Sequence, residues 1–340
     1  MANINPAGAV MKVKHLLHCH VLLTGLSRAM AADMPPLPAL EKLLAASARQ
    51  EVMEGGAEDW LSQSFGMAQR ESVPVAPYTA LADGMDSMGR YCLRADPVCF
   101  LLLRDRVLFA GTTRGLAREE ADALISALNS HFTADGLQFT APHPDRWYLL
   151  LDASPALQAV SPSQALGRDV AENLLQGTDA RKWRRWITEA QMVLHEHPVN
   201  LDREQRGLPP VNSVWPWGGG ILERPAAAPW AQVWADDPLA LGLAQAADIA
   251  SGPLPQSAAD LCRGPVGRGD ILVVCEGGEG LECLEREWMV PLREQLQRGD
   301  LASIRFHLAE VRRVATCNVT RGGLWRFWRR PKSLETYLHG

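Results

Sequence analysis

Apolar residues recur along this chain in two rhythms, and the order of the rhythms defines a fold class. Residues Lys14 to Leu26 alternate or run apolar as a strand does, and PPLPALEKLLAASA from Pro35 to Ala48 spaces its leucines helically behind a proline entry. A Gly55-Gly56 break, a short helical stretch from Trp60 to Phe65 and a proline-containing loop from Val73 to Tyr78 follow. Two apolar runs around Arg104-Asp105-Arg106 predict a hairpin over Cys92 to Phe109, and apolar residues at 121, 124, 125, 128 and 132 make one helical face over Arg118 to Phe132. Trp147 to Leu151 predicts a strand. Ala180 to Glu196 carries the clearest helical stripe, through Trp183, Trp186, Ile187, Ala190, Val193 and Leu194, and Pro198 marks its end. Beyond a Pro/Ala-rich spacer the pattern predicts a strand at Gln232 to Trp234, a helix from Pro238 to Ala247, a buried strand at Asp270 to Cys275, a helix from Leu281 to Leu296 and a strand at Ile304 to Leu308.

Strand, helix and strand at both ends, with a different segment between them, predict an α/β sheet interrupted by an inserted domain. The expected division is a core of residues 1–84 and 223–340 and an inserted α+β cap of residues 85–222.

With 340 residues and 47% hydrophobic content the chain is long enough to bury such cores. A net charge of -5 gives no global attraction to nucleic acid or to an anionic membrane, so any basic surface is local. The run WRFWRRPK is the one serious candidate, and no span long enough to cross a membrane is expected. Seven cysteines, at 19, 92, 99, 262, 275, 283 and 317, form no CxxC pair and leave one over, which predicts reduced thiols in a cytoplasmic protein. Lys12 and Lys14 precede an apolar run, as in a secretory signal, but His15, His18 and His20 interrupt it and favour a buried first strand. Met1 and Met11 both stand as possible starts.

The candidate chemistry lies in HPVNLDREQRGLPPVNSVWPWGGG, residues 197–220. Asparagine amides supply paired donors and acceptors, arginine supplies a planar fork, and consecutive glycines let backbone amides approach an anion. Asn200, Arg203, Asn212 and the turn Gly218, Gly219 and Gly220 therefore describe the wall of a small-anion pocket. The plainer alternative is that Asn200 and Arg203 stitch a long loop to its neighbours, the tryptophans fill a gap and the glycines turn the chain. His195 and His197 read as capping or packing residues.

This segment resembles the HPxN-x-x-R-x-x-x-G-x-x-P-x-N stretch of archaeal-type cofactor-independent phosphoglycerate mutases, members of the alkaline phosphatase superfamily. Through RADPV (94–98), QMVLHEHPVN (191–200) and NSVWPWGGG (212–220), over nearly the whole length, the chain also looks like the RpfE-type bacterial regulatory proteins. The resemblance implies an alkaline-phosphatase-like sheet core, with an inserted cap that closes over a substrate's phosphate and carboxylate. YCLRADPV and PDRWYLLLD resemble two mutase strands, so Arg94 and Arg146 join Asn200, Arg203 and Asn212 as implied ligand contacts, while Asp96 replaces an asparagine.

The flanks depart from the pattern. The superfamily's chemistry uses two divalent metals and a serine or threonine nucleophile. The Asp-Gly pair that closes its first strand reads Thr24-Gly25 here, and its Gly-Ser-Asp turn reads Gly56-Ala57-Glu58. Alanine cannot attack phosphorus. After DILVVC no histidine follows, only Glu276, Glu279 and Glu282, and the next strand offers His307 alone. The expectation is a catalytically degenerate regulatory protein with no catalytic residue, metal or cofactor, binding a phosphorylated or carboxylated metabolite. The alternative is an active mutase carrying manganese or zinc.

Other features read blandly. Ser62 and Ser64 read as packing or surface serines, Asp33, Asp83 and Asp86 as solvated loop aspartates, and GPVGRG and GGEG as turns. In the tail, Trp325, Phe327 and Trp328 interleave with Arg326, Arg329 and Arg330. The simplest expectation is an edge strand with its tryptophans inward; the other is a surface for a protein partner, bases or a membrane. No nucleic-acid partner is expected.

Overall fold

The computed structural model describes residues 17–26, 35–47, 50–68, 72–87, 89–172, 175–261, 269–277, 280–326 and 328–339. The expectations for residues 1–16, Asp33, Cys262, GPVGR, Glu279 and Phe327 lie outside them. In chain order the strands are β1 (Leu17–Thr24), β2 (Gln50–Glu54), β3 (Tyr91–Leu102), β4 (Val107–Thr112), β5 (Phe139–His143), β6 (Arg146–Leu151), β7 (Gln158–Ala159), β8 (Leu175–Gln176), β9 (Ser213–Gly220), β10 (Trp230–Ala235), β11 (Ala250–Gly252), β12 (Asp270–Glu276), β13 (Leu301–Ala309) and β14 (Arg313–Thr320).

Seven strands form a mixed sheet in the order β11-β10-β12-β1-β13-β14-β2. Its five central and left-hand strands run parallel, and β14 and β2 add antiparallel pairs at one edge. Alternation along β1 assigns its faces: Cys19, Val21 and Leu23 pack with Leu40, Leu43, Met289 and Leu292, while Leu22 packs with Trp60, Tyr78, Trp230 and Leu243. Helices cover both faces, which is why the parallel strands are mostly apolar. The result is an α/β fold with a central sheet flanked by helices.

A second, five-stranded sheet is built from residues between 91 and 220, with β3 pairing to β4, β6 and β9. The Arg118–Phe132 and Ala180–His195 helices bury Leu124, Leu128, Phe132, Trp183 and Trp186 against Trp147 and Leu149 of this sheet.

One helix joins the two bodies. The proline-containing segment expected to be a loop forms the Val75–Ala82 helix, because Pro77 sits in its first turn, where a missing N–H has no intrahelical partner to lose. Val75 and Tyr78 belong to the core's apolar cluster, while Ala76 and Ala80 pack with Cys92 and Tyr148 of the cap sheet. Such an approach requires glycine on both sides. A Cβ on Gly242 would stand 1.8 Å from the Tyr78 carbonyl oxygen, and Gly218, at φ +61°, would bring one to 2.9 Å from Val75 Cβ.

Two further elements differ from the sequence pattern. Gly218 to Gly220, expected as a turn, end β9, which pairs with β3 from Cys92 to Val98; among the described residues β9 pairs on one side only, so Pro216 is tolerated. The tail, expected as an edge strand, leaves the sheet after β14 in a 3-10 turn over Arg321–Trp325, where the Thr320 hydroxyl accepts from Gly323 N at 3.3 Å. Trp325 and Trp328 are 74% and 68% exposed, so the expectation of inward tryptophans is corrected. Among the described residues no helix is long and apolar enough to cross a membrane.

Candidate functional site

In open α/β sheets ligands bind outside the carboxyl ends of the parallel strands, and here Arg114, which follows β4 of the second sheet, reaches Glu276 at that edge. Thr24 and Glu276 end β1 and β12 side by side in register. Ala57 opens the Ala57–Ser64 helix behind Gly56, and Glu58 lies in its first turn. Asp237 caps the Pro238–Ala246 helix by accepting from Ala240 N at 2.8 Å. Burial raises the pKa of both Glu58 and Asp237, and each is pushed further by a neighbouring carboxylate: Asp237 acts on Glu58, and Glu276 on Asp237. From the cap, Arg114 Nη1 reaches Glu276 Oε1 at 3.6 Å, and Arg146 is close enough to pull the Asp237 pKa downward. A carboxylate-lined core edge thus faces cap arginines.

Arg94 and Arg146 belong to one network joined through Tyr148. Arg94 donates from Nε and Nη2 to Asp96 Oδ1 at 2.8 and 2.6 Å, and from Nη1 to Thr79 Oγ1 at 3.2 Å. Its guanidinium lies between the rings of Tyr148 and Trp217, and Trp217 Nε1 donates to Asp96 Oδ2 at 2.7 Å. Arg146 forks onto both oxygens of Asp83, which also accepts from Tyr148 Oη at 2.7 Å. Burial alone would raise the Asp83 pKa; the bonds from Arg146 and Tyr148 and the charges of Arg146 and Arg94 hold it below the usual value. The side chain of Arg94 is 7% exposed and that of Arg146 is 24% exposed. Of the two, only Arg146 offers a solvent-facing edge.

The remaining sequence candidates lie apart from this network. Asn200 donates to the carbonyls of Leu194 and Val211 and accepts from Val211 N, all within 2.8 Å. Arg203 binds Pro209 O at 2.9 Å and Glu120 at 2.7 Å, and Asn212 exchanges both hydrogen bonds with the Phe100 backbone. The space beside Gly218, Gly219 and Gly220 is filled by Val75, Tyr91 and Pro74. These side chains and glycines therefore meet the protein itself. His197 caps the Pro198–Gln205 helix through Nδ1, and Ser64 bonds to Leu61 O, as expected of capping and packing residues.

Asp83, expected to be solvated, is instead the partner of Arg146; no local pattern marks a residue whose contact is 63 positions away. Also unforeseen is a histidine pair on the face of the core sheet. His20 Nδ1 and His307 Nε2 lie 3.0 Å apart, His307 Nδ1 meets Thr316 Oγ1 at 2.8 Å, and His20 Nε2 stands 3.3 Å from Asp270. The Trp60 and Trp230 rings pack against them. Burial holds both imidazoles neutral, His20 down to about 4, with Arg305 opposing protonation of each.

Among the described residues a zinc pair is a poor fit to the core edge: Glu58, Asp237 and Glu276 offer oxygen alone, which suits a harder cation such as manganese, and His307 is committed to His20 and Thr316. Among the described residues no three His, Cys, Asp or Glu side chains converge as a metal site.

No family model matches the chain. A 2,3-bisphosphoglycerate-independent phosphoglycerate mutase of Methanosarcina mazei is 28% identical over 144 residues, covering 41% of this chain and 36% of that protein. The Methanosarcina acetivorans protein of the same name is 30% identical over 111 residues, covering 32% and 28%. One from Methanothermobacter thermautotrophicus is 29% identical over 137 residues, covering 39% and 33%. The matched stretch thus spans about a third of these relatives, and the chain is distantly similar to phosphoglycerate mutases. Among solved structures, a cofactor-independent phosphoglycerate mutase of Thermoplasma acidophilum aligns over 95% of this chain and 94% of that one, with TM-score 0.44 and 19% identity. A protein of Pyrococcus horikoshii aligns over 90% and 88%, with TM-score 0.48 and 15% identity.

Proposed function

We propose that this is a degenerate phosphoglycerate-mutase-like protein of alkaline-phosphatase type, close to the RpfE-type regulatory proteins, that binds a small phosphorylated or carboxylated metabolite without transforming it. The observation that carries the reading is Ala57: the first residue of the helix at the core edge has no side-chain hydroxyl with which to accept a phosphoryl group. Thr24 and the nitrogen-free donor set around it support the same conclusion.

On this reading the anion enters between cap and core and meets Arg146 and Arg114, with Arg94 fixing the sheet behind them. Asn200, Arg203, Asn212 and Gly218 to Gly220 keep the cap in shape. Arg146 is already neutralised by Asp83, so a dianion competes with that carboxylate for one fork. Phosphate esters, which carry more charge than a carboxylate at neutral pH, compete best.

The identity to archaeal mutases supports a second reading, an active metal-dependent mutase. Metal analysis of the purified protein, with turnover of 3-phosphoglycerate measured in added manganese, separates the two. Bound metal with turnover overturns the degenerate reading. Absence of turnover, together with a rise in melting temperature on adding phosphoglycerates that is lost in Arg146→Met, is the expected result.

A further inference from the structure

We propose that the C-terminal turn is a docking surface for an anionic phospholipid bilayer. From Arg312 to Lys332 the chain carries seven arginines and lysines and no acidic residue, in a protein whose net charge is -5. Among the described residues, Arg321, Arg326, Arg330 and Lys332 make no ion pair, so this charge is not compensated within the fold. The rings of Trp325 and Trp328 stand out of the same turn, 74% and 68% exposed.

The turn is anchored at both ends. Gly323 is buried so closely that a Cβ there would lie 2.5 Å from Ala46 O; Arg329 Nη1 donates to Ser47 O at 2.5 Å; and Leu334 and Leu338 are buried in the core cluster. Two amphipathic rings are therefore presented outward on a fixed base, surrounded by unpaired cations. A protein partner would need a cavity shaped to receive both rings. A single strand of nucleic acid would need a basic groove tracking its backbone over several nucleotides, in a protein whose net charge is -5. The headgroup region of a bilayer takes indole rings without a shaped cavity and supplies the negative charge the turn lacks.

Each cation held near an anionic leaflet multiplies the partition coefficient by about fivefold, so the surface is suited to reversible association. The test uses the full chain with vesicles of phosphatidylcholine, with and without one third phosphatidylserine, read by co-sedimentation and by tryptophan emission. Expected are sedimentation and a blue shift with phosphatidylserine only, both weakened at high salt. Arg326→Gln, Arg330→Gln and Lys332→Gln together should lower partitioning by about a hundredfold, and Trp325→Ala with Trp328→Ala should abolish the blue shift, with circular dichroism unchanged in both. Failure of the unaltered chain to sediment with phosphatidylserine vesicles overturns the proposal. Binding of single-stranded DNA or polyglutamate that the same variants abolish, without vesicle binding, overturns it in favour of that partner.

Discussion

Asp83→Ala is the sharpest perturbation of the junction between core and cap. It removes the carboxylate onto which Arg146 forks and which also accepts from Tyr148 at 2.7 Å, at a site where the aspartate side chain is 5% exposed. Stripping one partner from a buried ion pair costs about 3 to 5 kcal/mol, because the surviving charge stays desolvated. Water reaches part of Arg146, whose side chain is 24% exposed, which moves the expectation to the low end, about 3 kcal/mol. Urea denaturation followed by tryptophan fluorescence measures the loss. The double variant Asp83→Ala/Arg146→Met should be more stable than Asp83→Ala alone, since it removes the orphaned charge, giving a coupling energy above about 1.5 kcal/mol. The folded Asp83 pKa is depressed, so its contribution is present above the unfolded value of 3.8 and is lost as pH falls through the lower folded value. The gap between wild type and Asp83→Ala should accordingly close in strong acid. A single-variant loss under about 1 kcal/mol, or strictly additive variants, would refute the claim that this pair clamps the cap to the helix.

Three further outcomes follow from the same contacts. His20 has its pKa lowered from 6.5 to about 4, so its neutral form's stabilisation is complete above pH 6.5 and is lost as pH falls toward 4, by on the order of 3 kcal/mol. The melting temperature of the wild type should drop across that window, and His20→Gln should flatten the drop. Gly242→Ala drives a methyl group into the Tyr78 carbonyl, 1.8 Å away, and should destabilise by about 3 kcal/mol or more in the same urea assay. Asn200→Ala strips the Val211 carbonyl and N–H of their side-chain partner and removes one of the donors to Leu194 O, and should cost about 2 to 3 kcal/mol, with no change in phosphoglycerate-induced thermal shift when compared at matched stability.

The parallel sheet was legible because its strands are buried on both faces. Ile271 to Cys275 has no polar interruption to mimic a helix face, Val21-Leu22-Leu23 continues β1 as an apolar run past His18 and His20, and the Ala180–His195 helix displays an unbroken stripe. Val73 to Tyr78 and Ser213 to Gly220 misled for a shared reason: proline and glycine signal turns locally, yet Pro77 sits harmlessly in a helix's first turn and Gly218 to Gly220 lie in a strand pressed against Pro74 and Val75. Their roles are set by neighbours distant in sequence. The arginines at 94 and 146 were found through resemblance, but their partners Asp96 and Asp83 decide what they do. A pair such as His20 and His307, separated by 287 positions, has no signature a linear reading can detect.

On the proposed degenerate reading, these contacts explain how a ligand-wall motif can outlast the chemistry around it. Asn200 closes the joint between two helices and β9, Arg203 ties Pro209 to Glu120, and Asn212 holds the Phe100 backbone. Replacing any of them orphans buried polar groups, so selection for a folded cap alone is enough to retain the motif. Thr24, Ala57 and Glu276 lie at the rim of the core sheet, where a substitution disturbs no comparable network. A nucleophile and metal ligands can be lost from that rim while the cap remains intact. On that reading the motif from His197 to Gly220 holds the second sheet's body in shape, and the test of function belongs to Arg114, which pairs with Glu276, and Arg146, whose charge acts on Asp237.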